Sequence, residues 1–130
     1  MKNYETVKIT LFGGEYTAIQ YVPSGEFLIN LCPHAVDILV DGEKVTVPPS
    51  GQTARCAQTT ARTGRTFAGI PVSRSEYGKV TGLPKPFKGV GYIVSMAVKN
   101  RLPDRTDVFQ PSETVRNEAG QVAGAASLGE

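Results

Sequence analysis

The chain has 130 residues, 40% of them hydrophobic, with fourteen basic and twelve acidic residues and a formal charge of +2. One domain of that length buries a core without disulfides or a structural metal. A nucleic-acid protein would normally show a concentrated basic patch, and net charge alone argues little; no stretch has the length of a membrane span. Fourteen Gly and nine Pro, against five Tyr, five Phe and no Trp, predict short elements separated by many turns.

Tyr4 to Phe12 alternates, with Val7, Ile9 and Leu11 on one side and Lys8 and Thr10 on the other, which predicts a strand. Gly13-Gly14 is a turn signal, and Tyr16 to Val22 is rich in β-branched and aromatic residues, so the two runs predict a hairpin. After Pro23-Ser24-Gly25, Phe27 to Leu31 reads as a third strand. Pro33 interrupts it, and Ala35 to Val40 reads as a fourth. Asp41-Gly42 is the firmest turn signal in the chain and joins that strand to Glu43 to Val47.

Pro48-Pro49-Ser50-Gly51 forms a turn. Gln52 to Thr60 reads as a strand with Ala54 and Cys56 facing inward, and Thr59 to Gly64 as a polar loop. Phe67, Ile70 and Val72 mark an extended stretch, followed by Tyr77 to Val80. Pro84 and Pro86 bias the next segment toward an irregular connection. Tyr92 to Val94 reads as a buried strand, and Ser95 as the cap of a short helix, Met96 to Leu102, ended by Pro103 with Val98 and Leu102 inward. Asp104 to Phe109 reads as a loop, and Val122 to Leu128 as a weak final strand. The expected fold is mainly β with one short helix, an antiparallel or mixed sheet able to curl toward a barrel. Residues 1–27 form an N-terminal hairpin extension and residues 28–128 a single core domain.

His34 is the only histidine, so no multi-histidine metal site can form. Cys32 and His34 flank Pro33. A nucleophilic pair is conceivable there, but a buried hydrophobic cysteine and a histidine bonded to backbone explain the residues better. Asp104 and Asp107 could do acid–base work or hold a cation, although an Asp- and Arg-rich loop usually satisfies itself. No Walker-type loop, G-x-G-x-x-G, H-E-x-x-H or G-x-S-x-G occurs, so neither a cofactor nor a metal is expected.

Arginine makes planar two-pronged contacts with phosphate and carboxylate. Two clusters qualify: Arg55, Arg62, Arg65 and Arg74, and Arg101, Arg105 and Arg116. The candidate ligand-binding set is Ser95, Arg101, Arg105, Arg116 and Asn117, with Tyr92 to stack a base and Tyr77 and Phe87 as further aromatics. Because Ser95 and Arg101 lie at opposite ends of the helix, a site between subunits suits them better than one within a subunit.

Asn30-Leu31-Cys32-Pro33-His34-Ala35-Val36 resembles the N-L-T-P-H-x-V/I opening of a family of small tailed-phage and bacterial proteins. The resemblance continues through Pro49-Ser50-Gly51, Ile70-Pro71-Val72, Tyr77 to Val80, Gly82-Leu83-Pro84, Tyr92 to Ser95, Arg105 to Val108 and Arg116, and spans about residues 28–125. The family carries no chemistry to transfer. Cys32 stands where threonine is usual in it, which weighs against a nucleophilic cysteine.

The function expected from the sequence is a non-enzymatic, phage-type binding protein, homo-oligomeric and cytoplasmic (in the host if phage-encoded), that sequesters a small phosphorylated or nucleotide-like ligand. It contacts neither nucleic acid nor membrane. Alternatives are a structural or protein-interaction module of a phage, and an enzyme using Cys32 and His34 or Asp104 and Asp107.

Overall fold

The computed structural model describes residues 3–130; Met1 and Lys2, the first residues of the expected N-terminal extension, lie outside them. Ten strands and one helix follow in chain order: β1 Tyr4–Leu11, β2 Gly14–Tyr21, β3 Glu26–Asn30, β4 Val36–Val40, β5 Glu43–Val47, β6 Arg55–Phe67, β7 Ile70–Thr81, β8 Val90–Ile93, α1 Met96–Asn100, β9 Val108–Arg116 and β10 Val122–Gly129. Eight of the strands form one nearly closed, barrel-like sheet in the order β1-β2-β3-β8-β9-β10-β4-β5. The fold is mainly β with one short helix, as the turn-rich composition predicts.

The sheet is mixed. β3 pairs in parallel with β8, β8 with β9, and β10 with β4, while the hairpins are antiparallel. Parallel strands at the centre of a sheet are covered on both faces, and alternate residues of β3 and β8 do enter two cores. On the outer face Ile29, Leu31, Tyr92 and Val94 join Ala18, Val98 and Val108, with Leu83, Leu102, Cys56 and Val80 packed against them. On the inner face Ile19, Cys32 and Ile93 meet Val36, Ile38, Val45 and Val47, with Tyr4, Leu28 and Leu128 alongside. Each fully buried aliphatic side chain contributes about 1.5–3 kcal/mol. The first hairpin supplies Leu11, Tyr16, Ala18 and Ile19 to these cores.

The Asp41-Gly42 turn has positive φ at both residues, 50° and 77°, as a tight two-residue hairpin of this kind requires. Ser95 caps α1, its Oγ accepting from the Val98 N–H at 3.4 Å. Two expectations are corrected. Thr59 to Gly64 is not a loop: it is the middle of β6, which pairs with β7 from Arg55↔Thr81 to Phe67↔Ile70. Threonine suits extended backbone, and the long partner strand satisfies the ladder that an isolated polar run would leave open. Val108 to Val115 is likewise strand. Pro111 lies past Phe109, the last residue of β9 that pairs with β8, so its missing N–H leaves no gap there.

Candidate ligand site at the barrel mouth

The inner face of the sheet opens at one end of the barrel. A cavity of about 450 Å³ lies there, between Tyr4, Tyr21, Phe27, Leu28, Phe109 and Leu128, floored by the backbone of Gly89 to Gly91. Strand register builds it. Counting back from the first turn sets Tyr4 opposite Tyr21, and their rings lie 5.1 Å apart. Leu28 faces Gly91 across β3–β8, and Ile93 faces Phe109 across β8–β9. Gly91 keeps the wall open, since a Cβ there would stand 3.1 Å from the Phe109 ring.

The polar groups at this mouth are mostly acceptors. Glu26 lies on one wall, with Thr106 and Asp107 on another. Arg105 grips Asp107 from the side: Nε donates to Oδ1 at 2.8 Å and Nη2 to Oδ2 at 2.9 Å, and Nη2 also reaches the Pro84 carbonyl at 3.2 Å. These hydrogen bonds hold the Asp107 carboxyl below its ordinary range and the Arg105 guanidinium above its own. Burial, reinforced by Tyr21, Asp41 and Glu43, pushes the Tyr4 phenol up.

The sequence-derived site residues do not gather in one place within a chain. Arg105 holds Asp107 at the mouth without itself lining the cavity. Arg116 and Asn117 stand at the far end of β9, whose nine residues span about 30 Å at ~3.3 Å per residue. There Arg116 Nη1 donates to the Gly120 carbonyl at 2.9 Å, and Asn117 Oδ1 accepts from the Ala119 and Gln121 N–H groups at 3.0 Å. Both residues lock the β9–β10 turn. Ser95 is occupied as the helix cap and Arg101 closes the other end of α1. Tyr92 is fully buried, its hydroxyl donating to the Lys85 carbonyl at 3.1 Å, and burial pushes its phenol up. Phe87 meets Phe12 edge-on, while Tyr77 lies on β7. Sequence reasoning missed Tyr4, Tyr21, Phe27 and Phe109. The hairpin count from Gly13-Gly14 could have paired the two tyrosines.

The Cys32–His34 segment is structural. Cys32 is buried, and that burial pushes its thiol up. His34 is exposed and its Nδ1 lies 3.1 Å from the neighbouring Ala35 carbonyl. Asn30 organises this turn from a fully buried position. Its Nδ2 donates to the His34 carbonyl at 2.8 Å and the Val47 carbonyl at 3.1 Å, and its Oδ1 accepts from the Cys32 N–H at 2.9 Å. Among the described residues no group of three or more His, Cys, Asp or Glu could hold a metal ion, and no helix is long and apolar enough to cross a membrane. Compared with family models, curated proteins and solved structures, the chain matches none.

Proposed function

We propose that this protein is a non-enzymatic binding protein that holds a small nucleotide-like ligand in the barrel mouth. The observation that carries this reading is the cavity of about 450 Å³ walled by the aromatic side chains of Tyr4, Tyr21 and Phe109, within the ~300–1,000 Å³ usual for small-ligand sites. Tyr4, Tyr21 and Phe109 offer stacking surface for a base, which any base can use. Glu26 and Asp107 accept hydrogen bonds from amino or hydroxyl groups. Neither Cys32 nor His34 lines this cavity, so binding accounts for it better than covalent chemistry. The resemblance of Asn30 to Val36 supports a phage-type protein acting in a cytoplasm, the host's if phage-encoded.

A thermal-shift panel of mono-, di- and cyclic nucleotides tests the proposal, followed by calorimetry on any hit. Glu26→Gln, at an exposed position, should weaken a hit about tenfold while leaving the melting temperature of the free protein nearly unchanged; Tyr21→Ala should weaken it likewise, with a lower melting temperature because its ring packs on Tyr4. A panel without a single hit would sink the reading.

One observation favours the second reading, a structural or protein-interaction module. The paired strands β6 and β7 form a separate two-stranded sheet that leaves most of its surface uncovered.

A further inference from the structure

β6 and β7 contribute thirteen and twelve residues to a ribbon about 40 Å long at ~3.3 Å per residue. Only its root is anchored, through Cys56 and Val80 against the outer-face core. Beyond that root nearly every residue is exposed. A two-stranded ribbon by itself is at best marginally stable in water, so this arm lacks a covering surface. At its tip Phe67 and Ile70 face each other across the Ala68-Gly69 turn, 70% and 65% exposed.

The charge of the arm differs from that of the rest of the chain. Residues 55–81 hold five of the fourteen basic residues and one of the twelve acidic ones, a formal +4 against −2 for the remainder. None of Arg55, Arg62, Arg65 and Arg74 belongs to an ion pair among the described residues. The body offers the complement. A second, apolar hollow of about 270 Å³ adjoins the ligand cavity, between Tyr4, Ile38, Val40, Val45 and Leu128, with Asp41 in the β4–β5 turn and Glu43 at the start of β5 beside it.

We infer that the arm docks on a second copy of this chain, seating Phe67 and Ile70 in that copy's apolar hollow and setting Arg65 against its acidic β4–β5 turn. The arm does not fill its own hollow, because its root packs on the outer face and the hollow lies on the inner face. Two arms would repel each other, which favours arm-to-body contact over arm-to-arm. Reciprocal exchange then closes a two-fold dimer with no arm left over. The apolar tip and the acidic recipient favour this partner over nucleic acid, whose affinity comes chiefly from phosphate charge.

Sedimentation equilibrium of the full chain at low and high salt tests the inference. The expected result is twice the 13.9 kDa chain mass, weakened by salt because the charged contacts are screened. Phe67→Ser combined with Ile70→Ser, and separately Arg65→Glu, should weaken association about tenfold or more, with circular dichroism unchanged because the tip lies outside both cores. Glu43→Arg should restore association to Arg65→Glu. A wild-type chain at 13.9 kDa under all conditions, or a multimer that the tip variants leave intact, overturns the inference. So does a wild-type monomer that shifts a DNA or RNA duplex, which would give the arm to nucleic acid.

Discussion

Arg105 and Asp107 meet in a two-pronged ion pair, with Nε–Oδ1 at 2.8 Å and Nη2–Oδ2 at 2.9 Å, both side chains about four-fifths buried. The pair ties the loop after α1 to the Pro84 segment and fixes one wall of the ligand cavity. Because these bonds depress the Asp107 carboxyl, its contribution to stability is complete above the ordinary carboxyl value near ~4 and is lost as pH falls through the lower, folded value. Asp107→Asn should therefore be less stable than wild type at neutral pH, and the gap should shrink below about pH 4. Urea unfolding at a series of pH values measures this. A gap that does not change with pH would show that the carboxylate's charge contributes nothing.

Asn30 makes three hydrogen bonds from a fully buried position, to the His34 and Val47 carbonyls and from the Cys32 N–H. Removing them leaves three backbone groups unpaired where β3 ends, all in a part-buried or buried setting. Asn30→Ala should cost about 2–4 kcal/mol of global stability, read as a lowered urea midpoint, whereas His34→Ala at the exposed ring should cost under about 1 kcal/mol. Equal losses from the two variants would contradict this division of roles within the Asn30–Val36 motif.

Much of the sheet was legible because its signals are local. Val7, Ile9 and Leu11 alternate, Asp41-Gly42 carries the positive φ that the turn needs, and Ser95 caps a helix before Pro103. The arm was harder to read, since Thr59 to Gly64 is polar on both faces and its pairing depends on a strand ten and more residues away. β9 was harder to read because Gln110 to Thr114 carries no apolar alternation. The site was least legible. Tyr4 and Phe109 converge only because the sheet curls and because β8 and β9 pair in parallel, and neither property leaves a periodic trace. The arginines share a charge but not a location: one strand length separates Arg105 from Arg116.

Gly82 holds the root of the arm. Its φ is +81°, and a Cβ would run into the backbone carbonyl of Thr53, next to Ala54, whose N–H donates to Leu31 at 3.1 Å. A rigid backbone atom cannot yield as a flexible side chain would. Gly82→Ala should cost about 2 kcal/mol or more and loosen the root locally, so that Cys56 is alkylated faster at temperatures where the barrel remains folded. Unchanged Cys56 labelling alongside a lowered midpoint would place the damage elsewhere.

The two thiols should report on different parts of the fold. Cys32 is buried, and burial holds its thiol above the ordinary value, so little thiolate is present at pH 8. Cys56 is half-buried at the arm root, its Sγ near the Gly78 carbonyl at 3.5 Å. A disulfide-exchange reagent under native conditions should therefore modify one thiol per chain quickly, and mass mapping should place it at Cys56. Cys32 should react only at the rate of global unfolding, accelerating in step with urea. Rapid native labelling of Cys32 would mean that the Asn30–His34 turn opens independently of the inner core, and a nucleophilic role for that cysteine would have to be considered again.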